Sequence, residues 1–277
     1  MEWTNVVYGP VKSRRLGQSL GINLTPLELK VCNFNCGYCR VGVISKGKAE
    51  IGDYEGLGWT PENVRASISR GLEYHAQEVT SIDYVTIAGN GEPTMYPWFN
   101  EIVSHLVTEK SRCLQDRPTA IFANATKVNE LGVKETVSKL GRRFYKLDAG
   151  DEKTFRRINI PIGVTYTEII KNLLSSDNFE LSMAVLDGEV SNYDSFFNSE
   201  FIETLRKMRF TRMFIYDIDI PKTISPKFNR KIEKGKLENL AQHFSQQLNR
   251  KLGEDIVILW GPTTREGNIP LYPQQTN

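Results

Sequence analysis

The sequence predicts an α/β chain folded as a partial (β/α)6 TIM-like barrel with short N- and C-terminal extensions. Three observations predict it. β-rich runs and amphipathic helical stretches alternate about six times along the chain, the pattern of a parallel sheet with crossover helices. The runs end in Gly89, Asn124 and Asp148, polar or small residues where a barrel gathers its active site. A cysteine loop, Cys32-Asn33-Phe34-Asn35-Cys36-Gly37-Tyr38-Cys39, follows the first alternating run, Leu27–Val31, and would share that face.

Taken in order, residues 1–26 read as an irregular segment, because Gly9, Pro10, Gly17 and Gly21 break any helix. Lys12, Arg14 and Arg15 within it could meet an anion, or form a solvated basic loop. Leu27–Val31 alternates as a short strand. Residues 42–60 hold five glycines and mixed charge, an irregular insertion or flap. Thr60 then caps a helix that Pro61 begins, with Val64, Ile68, Leu72 and His75 on its apolar stripe. Further strands are expected over Ile82–Ala88, Thr119–Ala123, Phe144–Leu147, Phe179–Leu186, Met213–Ile218 and Ile256–Trp260. Helices are expected over Trp98–Glu109, Val128–Leu140, Glu152–Arg157, Tyr166–Leu174, Phe196–Met208 and Leu237–Leu252. Thr165 or Thr167 supplies the cap of the fourth of these. The tail after Gly261 is rich in proline and polar residues.

The chain of 277 residues can bury a sizeable core, and it reads as one domain: a core over 27–220, an N-terminal segment 1–26 and a helix–strand extension 221–277. A net charge of +2 neither demands nor excludes a nucleic-acid partner. Four cysteines, three of them clustered, do not form a disulfide framework. The N-terminus has no basic region followed by an apolar run, and no stretch is long and apolar enough to span a bilayer. A cytoplasmic protein without a membrane partner is therefore expected.

Three thiolates at this spacing can bind three irons of a four-iron, four-sulfur cluster from one loop. With no fourth protein ligand, one iron stays open for chemistry. A structural zinc site wants four closed ligands, and neither a partner CxxC nor a nearby histidine supplies the fourth; His75 reads as a helix residue. Cys113 reads as a stray or buried thiol.

The CxxxCxxC loop, together with Gly89-Asn90-Gly91-Glu92-Pro93 at the next strand end, resembles the radical S-adenosylmethionine superfamily. Within it, residues 9–17 and 147–151 are similar to the branch that holds the wyosine tRNA base synthases and their bacterial relatives. The resemblance implies one [4Fe-4S] cluster on Cys32, Cys36 and Cys39, and S-adenosylmethionine on the open iron. One electron to the sulfonium would then give methionine and a 5′-deoxyadenosyl radical that abstracts hydrogen from a substrate. It also implies an external electron donor such as flavodoxin or ferredoxin.

Site roles follow from the resemblance. Tyr38 packs near the adenine or serves loop packing; Gly89 and Gly91 let the backbone approach the methionyl amino group, and Glu92 accepts from that group. Asn90 belongs to the same motif. Asn124, Asp148 and Ser182 are candidates for ribose or carboxylate contacts, or for caps. Arg14, Arg15, Lys146, Arg156 and Arg157 are candidates to face the substrate, with Asn159 beside them. Lys222, Lys227, Arg230, Lys231, Lys234 and Lys236 could track a phosphate backbone or form a solvated loop. The first expected substrate is a base in tRNA or a nucleotide. The wyosine synthases carry a second cluster, and only Cys113 remains here, so their reaction is not expected to be repeated. Alternatives are a partner protein or peptide, as for glycyl-radical activases, a free small molecule, or a non-enzymatic iron–sulfur carrier or sensor.

Overall fold

The computed structural model describes residues 2–28, 30–39, 41–42, 54–78, 81–218, 226–228 and 231–260. Leu29, most of the 42–60 insertion, Lys222, Arg230 and the tail from residue 261 lie outside the described residues.

One sheet carries eight strands in chain order. They are β1 (Val7–Ser13), β2 (Gly17–Ile22), β3 (Tyr84–Ile87), β4 (Thr119–Ala123), β5 (Arg142–Lys146), β6 (Asp177–Val185), β7 (Arg209–Asp217) and β8 (Ile256–Leu259). β1 and β2 form an antiparallel hairpin, and every pairing from β2 to β8 is parallel. The crossovers carry α1 (Pro61–Gln77), α2 (Phe99–Cys113), α3 (Val133–Ser138), α4 (Glu152–Ile158), α5 (Tyr166–Leu174), α6 (Ser199–Lys207) and α7 (Lys234–Leu248). The result is the expected partial barrel of six β/α units, with β8 added after α7.

Local chemistry explains the elements. Thr60 accepts from Asn63 N–H and Pro61 opens α1, whose buried stripe includes Val64, Ile68, Leu72 and His75. Thr165 and Glu168 form a reciprocal capping box on α5. β6 is buried continuously from Phe179 to Val185, as a strand covered on both faces should be. Phe144, Phe179, Phe196, Phe201 and Phe244 are fully buried, each stabilising the fold by roughly 1.5–3 kcal/mol. A separate small cluster of Leu16, Ala120, Phe144 and Phe214 fills the base of the barrel interior.

The first barrel strand differs from expectation. Among the described residues of 27–31 none pairs with a neighbour; the strand beside β3 is β2, at Gly17–Ile22. Glycine content hides it in the sequence. A Cβ on Gly21 would meet the Tyr8 ring at 2.1 Å, so the glycine lets that ring lie across the strand. The helix expected over 128–140 is confined to α3, and the one expected over 196–208 is a 3-10 turn (Tyr193–Phe197) followed by α6. No helix among the described residues is long and apolar enough to cross a membrane.

The two edges of the sheet are β1 and β8. Arg14, in the β1–β2 turn, reaches across to the far side of the half-barrel. Its guanidinium pairs with Asp217 Oδ1 at 2.8 Å and donates to the Leu259 carbonyl at 3.4 Å.

Candidate functional site

A cavity of ≈ 440 Å³ occupies the barrel interior, lined on one side by the cysteine loop. Cys32, Cys36 and Cys39 all face it, as do Gly89, Gly91, Glu92, Asn124, Lys146, Ser182, Arg14 and Arg15.

The cysteine loop has no strand of its own, and its backbone is held by borrowed partners. Asn35 N donates to Ile160 O at 3.1 Å, Gly37 N to Ile158 O at 3.1 Å, and Ile162 N to Asn33 O at 2.9 Å. The loop therefore leans on the chain leaving α4. A second anchor is the turn after β3. A Cβ on Gly91 would lie 2.0 Å from the Val31 carbonyl oxygen, and Glu92 N donates to that same oxygen at 2.8 Å. A Cβ on Gly89 would lie 1.9 Å from Asn23 Oδ1, which also accepts from Asn90 N at 3.1 Å. Both glycines thus serve the close packing of the segment that leads into Cys32. Asn90 is buried and does not line the cavity.

Two sulfurs receive amide donors. Phe34 N and Asn124 Nδ2 approach Cys32 Sγ at 3.4 and 3.8 Å, and Asn159 Nδ2 approaches Cys36 Sγ at 3.4 Å. Burial pushes the Cys32 and Cys36 thiols above the ordinary thiol range. Bound metal reverses that preference, since a coordinating thiol is deprotonated.

Glu92 is 3% exposed. Its carboxylate accepts from Thr94 N at 3.1 Å, from the Thr94 hydroxyl, and from Asn124 N at 2.6 Å. Burial nevertheless pushes its carboxyl up to about 7.

Asp148, 1% exposed, is the other hub. Oδ1 accepts from Ala184 N at 2.8 Å; Oδ2 accepts from Lys146 Nζ at 2.8 Å, Asn159 Nδ2 at 3.1 Å and the Tyr38 hydroxyl. Burial disfavours the Lys146 ammonium, but Asp148 and its other neighbours outweigh this and raise its pKa. Burial and the adjacent carboxylate together hold the Tyr38 hydroxyl protonated well above its ordinary range. One carboxylate thereby ties the cysteine loop to β5, β6 and the end of α4.

Most of the candidate residues converge; besides Asn90, two stand apart. Arg156 and Arg157 lie exposed on the outer face of α4, and Arg156 pairs with Glu152 at 2.5 Å. Neither lines the cavity, because the helical register of α4 turns Phe155 and Ile158 inward instead. Of the basic run, Lys227, Lys231, Lys234 and Lys236 each pair with an acid of this chain: Glu189, Asp217, Glu238 and Asp187. His75 is buried in α1 against Trp3 and does not line the cavity. Tyr216, which lines the cavity, went unnoticed in the sequence. The period of two through Phe214, Tyr216 and Ile218 on β7 was its available signal.

Among the described residues no three His, Cys, Asp or Glu side chains converge on a point that a single ion could occupy. Three thiols that face one cavity suit a cluster, in which each sulfur binds a different iron. The donor set contains only thiols, and two of them already receive N–H donors of the kind that tune cluster sulfurs. The residues present therefore fit a [4Fe-4S] cluster.

No protein-family profile matches the chain. Among solved structures, it is similar to TYW1 with a bound lysine–pyruvate adduct (TM-score 0.55, 17% identity, 84% of this chain and 75% of that one). It is similar to Streptococcus suis SuiB bound to S-adenosylmethionine (TM-score 0.57, 14% identity, 84% and 48%). A third is the Escherichia coli coproporphyrinogen III oxidase HemN, a radical SAM enzyme (TM-score 0.53, 11% identity, 80% and 51%). The chain therefore has the fold of radical SAM enzymes. In sequence it is 31% identical to a UPF0026 protein of Helicobacter pylori strain J99, over 81% of this chain and 70% of that protein. Another UPF0026 protein, from Synechocystis, is 30% identical over 75% and 73%. With that identity over most of both chains, the protein belongs to the UPF0026 family.

Proposed function

We propose that this protein is a radical S-adenosylmethionine enzyme. The observation that carries the reading is the placement of Cys32, Cys36 and Cys39 on the wall of one cavity, beside Glu92 and Asn124 at two strand ends. When bound, the cluster supplies one electron to the sulfonium of S-adenosylmethionine, which breaks to methionine and a 5′-deoxyadenosyl radical able to take hydrogen from a substrate.

The chain's own residues have definable tasks in this reading. The three cysteines hold the cluster, and the amide donors of Phe34 and Asn159 offset charge on Cys32 and Cys36. The Glu92 carboxylate accepts from the methionyl ammonium; a cation at that place would favour its ionised form, against the burial that now raises it. Asn124 offers its amide at the next strand end. Tyr38, Lys146 and Asp148 fix the last cysteine of the loop. The barrel walls exclude water, which would quench a reactive carbon radical. A flavodoxin- or ferredoxin-like donor would deliver the electron from outside.

The test is anaerobic reconstitution with iron and sulfide. The expected load is about four irons and four sulfides per chain, lost when Cys36 is replaced by alanine. Reduction by dithionite should then release methionine and 5′-deoxyadenosine. A protein that takes up iron but leaves S-adenosylmethionine intact would be a carrier or sensor, and the enzyme reading would fall.

For the substrate, the likeness of residues 9–17 and 147–151 to the wyosine-forming branch supports a nucleotide base, in tRNA or free. The ion-paired lysines of the 227–236 segment add no support for a long phosphate backbone. Mass spectrometry of tRNA nucleosides from cells with and without the protein decides this; an unchanged profile moves the assignment to a free small molecule or a partner protein. The cavity of ≈ 440 Å³ favours the small molecule between those two.

A further inference from the structure

Three arginines meet around the aromatic base of the cavity, and their charges are treated differently. Arg14 is paired with Asp217 at 2.8 Å. Arg142 forms a two-pronged pair with Glu180, Nε and Nη2 each 2.5 Å from a carboxylate oxygen. Arg15 lies between them with no carboxylate in ion-pair range among the described residues. Its guanidinium sits over the rings of Tyr216 at 4.3 Å, Phe122 at 5.3 Å, Phe214 at 5.8 Å and Phe144 at 5.9 Å. It donates to Ser182 Oγ at 3.1 Å, and its buried Nε has no hydrogen-bond partner. Burial, with the neighbouring Arg14 charge, pulls the Arg15 pKa below the ordinary arginine value, although Tyr216 and Asp148 act in the opposite direction.

Aromatic faces attract the cation but cannot accept its in-plane N–H donors in the way an oxyanion does. Arg15 is half-buried, so its guanidinium is only partly withdrawn from water, yet the chain has provided carboxylate partners for both neighbouring arginines and none for it among the described residues. The Arg15 backbone is held in place as well, since Arg142 Nη1 donates to its carbonyl at 3.3 Å. Ser182, in register with Lys146 on β5 and with Phe214 on β7, lines the same cavity as Arg15 and Tyr216.

We propose that Arg15, with Ser182, binds an oxyanion group of the substrate, a carboxylate or a phosphate, deep in the barrel. This deepens the enzyme reading and rests on it in one respect: the anion belongs to the molecule that gives up hydrogen. It restricts that molecule to one with a terminal carboxylate or phosphomonoester able to enter the cavity, rather than a neutral base or an uncharged peptide segment. The planar fork of an arginine suits either group through two parallel N–H donors.

The test uses the full chain as purified, with inorganic phosphate and acetate as probes and chloride at matched ionic strength as the reference. One oxyanion should raise the thermal midpoint saturably over chloride. Phosphate acting at lower concentration than acetate assigns a phosphorylated substrate, and the reverse order assigns a carboxylate. Arg15→Gln should weaken that binding by at least about tenfold, and Arg15→Lys, which keeps the charge but loses the fork, by an intermediate amount. Arg15→Lys also serves if Arg15→Gln does not fold. The proposal is overturned if neither anion acts beyond chloride, or if binding is the same in wild type and Arg15→Lys and Arg15→Gln. Release of 5′-deoxyadenosine without substrate is measured on the same preparations after anaerobic reconstitution with iron and sulfide and reduction by dithionite. Anion binding without that release removes the enzyme reading and leaves the anion site; release without anion binding does the opposite.

Discussion

Glu92→Gln should make the metal-free protein more stable at high pH and less stable at low pH. In the fold, burial raises the Glu92 carboxyl from the ordinary 4.5 to about 7. Between those two values the unfolded chain ionises while the folded chain keeps its proton. Native Glu92 is therefore most favourable below the unfolded value, and its contribution is lost as pH rises toward 7. Integrating that gap gives a loss of about 3 kcal/mol between pH 4 and pH 8. Glutamine has no such gap, but it has only one acceptor oxygen for two sets of donors. If that oxygen serves Asn124 N, the amide nitrogen faces the Thr94 N–H, at a cost of about 1 kcal/mol. A protonated carboxyl avoids part of this cost, because its hydroxyl oxygen still accepts. The variant should be less stable than wild type by about 1 kcal/mol near pH 4.5 and more stable by about 2 kcal/mol near pH 8. Urea unfolding of metal-free protein at both pH values reads the difference. If the variant differs from wild type equally at both, Glu92 does not titrate as its burial requires, and the electrostatic reasoning at this site is refuted.

Gly91→Ala places a methyl group 2.0 Å from the Val31 carbonyl, a backbone atom that cannot rotate away. It should cost at least about 2 kcal/mol in urea unfolding and lower the iron content after reconstitution; retention of both would contradict the packing. Asp148→Asn leaves Lys146 without its carboxylate and, with the amide oxygen turned to the Lys146, Asn159 and Tyr38 donors, sets the amide nitrogen against Ala184 N–H. Because Lys146 is 24% exposed, the loss should be about 2–4 kcal/mol rather than the full cost of a deeply buried pair, read by the same unfolding assay. Ile160 holds a positive φ of 44°, a conformation strained for a β-branched side chain, and it is 41% exposed. Ile160→Gly should therefore raise stability by about 1 kcal/mol, and a drop of that size instead would show that its side chain contributes packing that outweighs the strain.

The sequence made the parallel sheet legible because β-rich runs such as Thr119–Ala123 and Met213–Ile218 alternate with helical stretches, some of them clearly capped. Thr60, Pro61 and Thr165 stand where caps were expected. The hairpin at 7–22 was not legible, because a strand with Gly17 and Gly21 owes its existence to Tyr8 and to pairing with β3, neither of which has a local signature. The candidate site was visible as types and strand ends, so Cys32, Glu92, Asn124 and Asp148 could be grouped in advance. Their partners could not. Asp148 reads as a ligand candidate in the sequence, but its contacts with Tyr38 and Asn159 could not be read there, because those residues arrive from segments 110 and 11 residues away. The outward turn of Arg156 and Arg157 likewise depends on the register of α4 against Phe34, which charge alone does not reveal.

The fit of Gly91 against Val31 has a consequence for the life of the protein in air. The path of the cysteine loop is fixed by backbone contacts with the β3 turn and with Ile158–Ile162, none of which involves sulfur. Oxygen that strips iron from the proposed cluster would leave those contacts standing. The damaged protein would then be a ready template for reassembly instead of an unfolded chain bound for proteolysis, so that repair consumes iron and sulfide but no new synthesis of the polypeptide.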